Sequence, residues 1–164
     1  AGSAWTQTAN QAHYTGCTQE SECIVAGHFD GPIGTASAET VHAGALGSII
    51  TTAGQALFKP LNPNKPNGPQ MLVLSGDHTQ ESFRALVRIP AGFEAPLHMH
   101  AANYAGASII GDMQKNNGPK LVPGSIWTQK KDTAHTNACV SNTPCVFFVA
   151  MDGAFTMTPT QAVQ

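Results

Sequence analysis

From about residue 70 onward the sequence is cut into short apolar stretches by turn-forming residues, which leaves little room for anything but β-structure. The breaks stand at Ser75-Gly76-Asp77, Pro90-Ala91-Gly92, Asn116-Asn117-Gly118-Pro119, Pro123-Gly124 and Asp152-Gly153. Residues 82–90 alternate, with Phe83, Ala85, Val87 and Ile89 on one side and Arg84, Leu86 and Arg88 on the other. Residues 71–74 and 145–150 are continuous apolar runs, the pattern of strands covered on both faces. In the second run at least one of Phe147 and Phe148 must fill the core. Residues 104–113 and 125–129 read as further strands, and 46–52 as a candidate one. No amphipathic helical stretch exceeds about two turns. Short strands between Gly/Pro turns predict a β-sandwich or barrel.

The 164 residues fit one domain with an N-terminal extension. Residues 1–56, rich in Ala, Gly, Thr and Ser, are expected to form that extension and to pack on a barrel spanning 57–164. The proline-punctuated segment 59–66 is an extended connection, because each residue before a proline is pushed out of the helical region. Charged residues are 11% of the chain against about 25% in average soluble domains. With a net charge of −2 and no basic run longer than Lys130-Lys131, the chain lacks the footprint of a nucleic-acid or anionic-membrane binder. No apolar run approaches the roughly 20 residues that span a bilayer.

Four cysteines form two matching pairs, Cys17/Cys23 and Cys139/Cys145, each separated by five residues. Neither has the spacing of zinc knuckles or redox motifs. Two short local disulfides are expected in preference to four free buried thiols, with a periplasmic or extracellular location following from them. The absence of a basic, apolar leader before Ala1 suggests a signal peptide already removed, although an expression remnant would look similar.

The chemistry concentrates in residues 92–104. On a strand, residues two apart share a side, so His98 and His100 present both imidazoles to one point while Met99 turns into the packing. If that strand runs on unbroken, Tyr104 has the same parity. Glu94, His42, His78, His13 and His28 carry weaker expectations. Glu94 belongs to a loop, His42 and His78 are expected to be exposed or locally hydrogen-bonded, and the other two belong to the extension. Trp127 reads as a wall residue.

Here the sequence resembles the cupin superfamily. Gly92, His98, His100 and Gly111 fall at the positions of its first motif, with Tyr104 where that motif has Glu. Gly124 and His135 keep the separation of the second motif, while Lys130, Asp132 and Cys139 replace its Pro, Gly and Asn. A narrower similarity, over about residues 57–158, is to bacterial cupins of unknown function related to the sensor domain of ChrR-type anti-sigma factors. It rests on Pro60-Leu61-Asn62-Pro63, Pro90-Ala91-Gly92-Phe93, Pro96-Leu97-His98-Met99-His100, Tyr104 and Pro123-Gly124-Ser125-Ile126-Trp127, with His135, Cys139 and Cys145.

The resemblance implies an all-β cupin, a double-stranded β-helix or jelly-roll barrel, closing over one divalent transition metal held by His98, His100 and His135. Zn, Fe, Mn, Ni and Cu all suit three neutral imidazoles. Tyr104 would ligate the metal, act as a base or donate a hydrogen bond to a ligand. The expected function is a metal-dependent enzyme acting on a small organic molecule, by dioxygenase-like or by lyase or isomerase chemistry. The alternative is a non-catalytic small-ligand or metal-binding module serving as sensor, carrier or store. A homodimer is the default assembly for such folds.

Overall fold

The computed structural model describes residues 2–10, 13, 15–20, 22–34, 49–51 and 57–161. Among them there is no helix. The strands are β1 (Ala4–Thr6), β2 (Ile49–Thr51), β3 (Lys59–Pro60), β4 (Gln70–Gly76), β5 (Phe83–Ile89), β6 (His98–Met99) and β7 (Tyr104–Ile110). They continue as β8 (Met113–Lys115), β9 (Lys120–Leu121), β10 (Ile126–Gln129), β11 (Asn137–Cys139), β12 (Cys145–Met151) and β13 (Thr158–Pro159).

Two layers enclose the core. One is a six-stranded sheet in the order β10-β7-β12-β5-β4-β3, with every pair antiparallel. The other combines the sheet β11-β8-β9 with the pair β13-β6. Those two pieces are joined by the bridges Glu94–Ala138 and His98–His135, with His98 N–H donating to His135 O at 3.0 Å and the reverse bond at 2.8 Å. The layers face each other as a jelly roll without closing into one continuously hydrogen-bonded barrel. This is the cupin fold.

Alternation on β5 works as its sequence predicts. Phe83, Ala85, Val87 and Ile89 join Met71, Tyr104, Met113, Cys139, Cys145, Val149 and Met151 in the core between the layers. Leu86 points the other way, into a second cluster with Ala4 and Val146. The runs at 71–74 and 145–150 are indeed apolar on both faces: Phe147 packs on the inner core, whereas Phe148, Leu72 and Leu74 belong to the outer cluster. Because Phe83 is fully buried, truncating it to Ala removes some 3–5 kcal/mol.

Three expectations need correction. The stretch 104–113 is not one strand, since Gly111 (φ +75°) turns the chain and β8 crosses to the other layer. A Cβ there would also meet Cys145 Sγ at 2.9 Å. His98 to Tyr104 is not one strand either: it ends at Met99, and Asn103 holds the corner. The Asn103 side chain accepts from Lys131 N–H at 3.0 Å, and its carbonyl accepts from Asp152 N–H at 3.0 Å. Met99 is half-buried, paired with Thr158, rather than in the core.

Both disulfides form, Cys17–Cys23 and Cys139–Cys145. The second links β11 directly to the start of β12. The extension touches the six-stranded sheet through Ala4 in the outer cluster, and through Arg84, whose guanidinium donates to His28 Nδ1 at 3.1 Å and to Asp30 at 3.2 Å. The candidate strand at 46–52 is described only at β2, which pairs with β1, and His42 lies outside the described residues.

Candidate metal centre

His98 belongs to β6, His100 follows it, and His135 lies just before β11. All three are buried, and one ligand nitrogen from each lies within 4.8 Å of the others. The extended segment ending at His100 keeps the first two imidazoles on one side. The paired bridge between residues 98 and 135 brings the third alongside, with ring centroids of His98 and His135 4.3 Å apart.

The decisive detail is what the other ring nitrogens do. His98 Nδ1–H donates to Pro96 O at 2.7 Å, His135 Nδ1–H to Thr133 O at 3.1 Å, and His100 Nδ1–H to Thr156 O. A carbonyl can only accept, so each bond fixes its imidazole as the Nδ1–H tautomer and leaves a lone pair on Nε2. Backbone carbonyls orienting imidazoles in this way are the support that metal-ligating histidines have. Burial also pushes all three pKa values down, that of His135 to about 4, so the rings are neutral at pH 7. Three neutral, converging, pre-oriented nitrogens fit a divalent transition metal.

Tyr104 arrives from the opposite layer, at the start of β7. Its hydroxyl donates to His135 Nε2 at 3.3 Å, and its ring stands edge-on to His100. Burial raises its pKa to about 12, with Asn137 and Trp127 opposing that shift more weakly. The phenol is therefore protonated at neutral pH.

Sequence reasoning missed Lys115. Its Nζ donates to the Tyr104 hydroxyl at 2.9 Å and lies 5.1 Å from the Tyr104 ring centroid and 5.7 Å from that of Trp127. Desolvation pulls its pKa down to about 8. One signal was available: Lys115 is two residues from Met113, which is fully buried, and strand parity turns both side chains inward.

The remaining expected residues fall out plainly. Glu94 is exposed and outside the histidine cluster. Cys139 is consumed in its disulfide. His78 is half-buried, its ring against Phe83 and its carbonyl accepting from Phe155 N–H at 2.7 Å. Trp127 is half-buried on the inner wall, lying over Gly106. A groove of about 340 Å³ is bounded by His28, Asn103, Tyr104, Thr128, Lys130 and Ala150, and none of His98, His100 and His135 lines it.

The glycines of both motifs are at left-handed positions, Gly92 (φ +68°), Gly111 (φ +75°) and Gly124 (φ +91°). Asp132, which replaces the remaining motif glycine, has φ +55°, a conformation that Asp tolerates. That departure therefore leaves the turn before His135 intact.

A Ralstonia eutropha JMP134 RmlC-like cupin matches with a TM-score of 0.55 at 18% identity, over 69% of this chain and 76% of that one. A chain of the Rhodobacter sphaeroides SigE complex with anti-sigma ChrR matches with a TM-score of 0.51 at 19% identity, over 62% and 51%. Ruegeria pomeroyi DMSP lyase DddQ matches with a TM-score of 0.51 at 17% identity, over 65% and 62%. At these identities the likeness is one of fold. No curated protein matches the chain. The domain of unknown function DUF4437 matches residues 50–162, most of the chain, and the protein therefore belongs to that family of cupin-type domains.

Proposed function

We propose that the protein is a metal-dependent cupin enzyme acting on a small organic molecule between its two layers. The observation that carries this reading is the set of three Nδ1–H bonds to backbone carbonyls, which leaves the Nε2 lone pairs of three buried, clustered imidazoles for a ligand. His98, His100 and His135 would hold one divalent transition metal, which supplies a Lewis acid with open positions for a substrate oxygen or dioxygen.

The chain's own residues supply the rest. Tyr104, protonated and buried, offers a hydrogen bond and a proton to a bound molecule on the side opposite the imidazole-bearing layer. Lys115 holds that hydroxyl in place. The apolar core around Met113 and Phe147 excludes water. Dioxygenase-like chemistry and lyase or isomerase chemistry both use such a site, and the fold shared with a DMSP lyase supports the second class as an option. Two disulfides favour an oxidising compartment, which we take to be the periplasm or the exterior.

The test begins with metal analysis of purified protein. One transition metal per chain is expected, and the double substitution His98→Ala with His100→Ala should reduce it to background. Undiminished metal in that variant would refute the assignment. Dioxygen uptake and product formation are then followed over a panel of small organic molecules. Turnover lost in Tyr104→Phe with metal retained identifies the enzyme. Metal bound without turnover of any panel member would point to a ligand-binding module instead.

A further inference from the structure

We infer that the interior carries a second recognition point, centred on Lys115, that takes the carboxylate of a small organic acid. That this acid is the enzyme's substrate rests on the reading above; the anion site itself is built from residues other than the three histidines.

Lys115 lies between the layers among apolar and aromatic side chains, touching Tyr104 and Trp127. None of the acidic side chains among the described residues answers it. Asp112 pairs with Lys120 at 3.4 Å and Asp30 with Arg84 at 3.2 Å. Asp77 accepts from Thr79. Glu20, Glu22, Glu81, Glu94, Asp132 and Asp152 are exposed. Among the described residues, its ammonium hydrogen-bonds only to the neutral hydroxyl of Tyr104. Lys115 is half-buried, and a partly desolvated cation without a counter-charge is costly unless a partner completes it.

Independent polar atoms point the same way. Ser108 Oγ is buried with no partner, Ser108 being only 3% exposed, and Trp127 Nε1 is buried with no hydrogen bond of good geometry, although the indole is near enough to the Tyr104 hydroxyl to draw its pKa down. Tyr104, Gly106 and Ser108 alternate along the inner face of β7. Trp127 lies over Gly106, and Ser108 is paired with Phe147, a residue of the inner core. Three donors, an ammonium, an indole N–H and a serine hydroxyl able to donate, thus outnumber the one orphaned acceptor among the described residues, Asn137 Oδ1, at the strand position paired with Lys115. Orphaned buried donors in a native fold mark a missing partner.

The complement of these groups is an acceptor with one negative charge. A carboxylate offers two oxygens with about four lone-pair sites. A phosphate brings about −1.5 to −2 charges into an apolar wall holding one cation. The Tyr104 hydroxyl joins Lys115 to His135, so an acid bound at Lys115 has the rest of its skeleton beside the imidazoles.

Acetate is the probe, with acetamide as its neutral counterpart. The indole Nε1–H resonance of Trp127, assigned with Trp127→Phe, is followed by NMR in the intact 164-residue chain. Acetate should shift it saturably and acetamide should not. Lys115→Met should weaken acetate binding by about ten- to a hundred-fold, the scale of a charge-assisted hydrogen bond, and Lys115→Arg should restore part of it. The titration is repeated in the metal-free His98→Ala/His100→Ala variant. Acetate binding that persists there and still depends on Lys115 upholds the anion site whatever becomes of the metal reading. Equal affinity in native protein and Lys115→Met, no acetate response at all, or a response present only with metal and indifferent to Lys115 would each overturn it.

Discussion

At the scale of single residues, the phenol of Tyr104 connects the features of the site. It touches His135, His100 and Lys115 and belongs to the layer that carries none of them. Replacing it with Phe keeps the ring and removes one bond to each of two partners. The expected result is metal content near that of the native protein, with turnover reduced by at least about a hundred-fold, the lower end of what a positioned acid contributes; elemental analysis beside product formation separates the two effects. The histidines themselves were legible, because period-two geometry puts residues 98 and 100 on one side and motif spacing adds His135. Tyr104 was legible through its place in the first cupin motif, whereas strand parity cannot carry it, since the chain turns a corner before reaching it. Lys115 was overlooked for a physical reason. Lysine is among the residues least often buried, and position 115 adjoins the Asn116-Asn117-Gly118 turn, where a charged side chain ordinarily faces water.

At the scale of elements, two devices hold the site in register. The Cys139–Cys145 bridge closes a loop of a few residues and fastens the strand next to His135 to the central strand β12. Removing it with Cys139→Ser and Cys145→Ser is expected to cost about 2 kcal/mol, read as a lower midpoint in denaturant; an unchanged midpoint would show that the hairpin holds itself. The second device is Gly106, where a Cβ would come within 2.3 Å of the Trp127 ring. Gly106→Ala should therefore expel the indole from the inner wall and cost roughly 1–3 kcal/mol through overpacking, with the Trp127 fluorescence shifted to the red. Sequence patterning located β4, β5, β10 and β12 well because apolar alternation and turns mark their ends. The break at Gly111 escaped it, since the apolar residues of 104–113 continue through the glycine.

For the whole molecule, protonation decides stability on the acid side. Burial holds the native pKa of His135 down to about 4, and lowers those of His98 and His100, against about 6.5 in the unfolded chain. Between those values the unfolded state takes up protons that the native state resists, so stability should rise with pH there and fall as pH drops from 6.5 toward 4. Thermal melting of metal-free protein across that interval measures it, and a flat midpoint would contradict the burial of these rings. A β-sandwich or barrel was readable from turn spacing, and the jelly roll from the cupin motifs, whereas the division into two separately bonded layers was not, because nothing in a single strand states which edge it leaves unpaired.

That division has a mechanical meaning. The imidazoles and the ammonium ride on one leaf of the molecule, and the phenol, indole and serine on the other, with the hydroxyl of Tyr104 as a clasp between them. Sliding one leaf against the other would unfasten the clasp while leaving the three nitrogens in formation. An ion would thus be gripped from one leaf alone, whereas a guest that reached the phenol would be gripped from both.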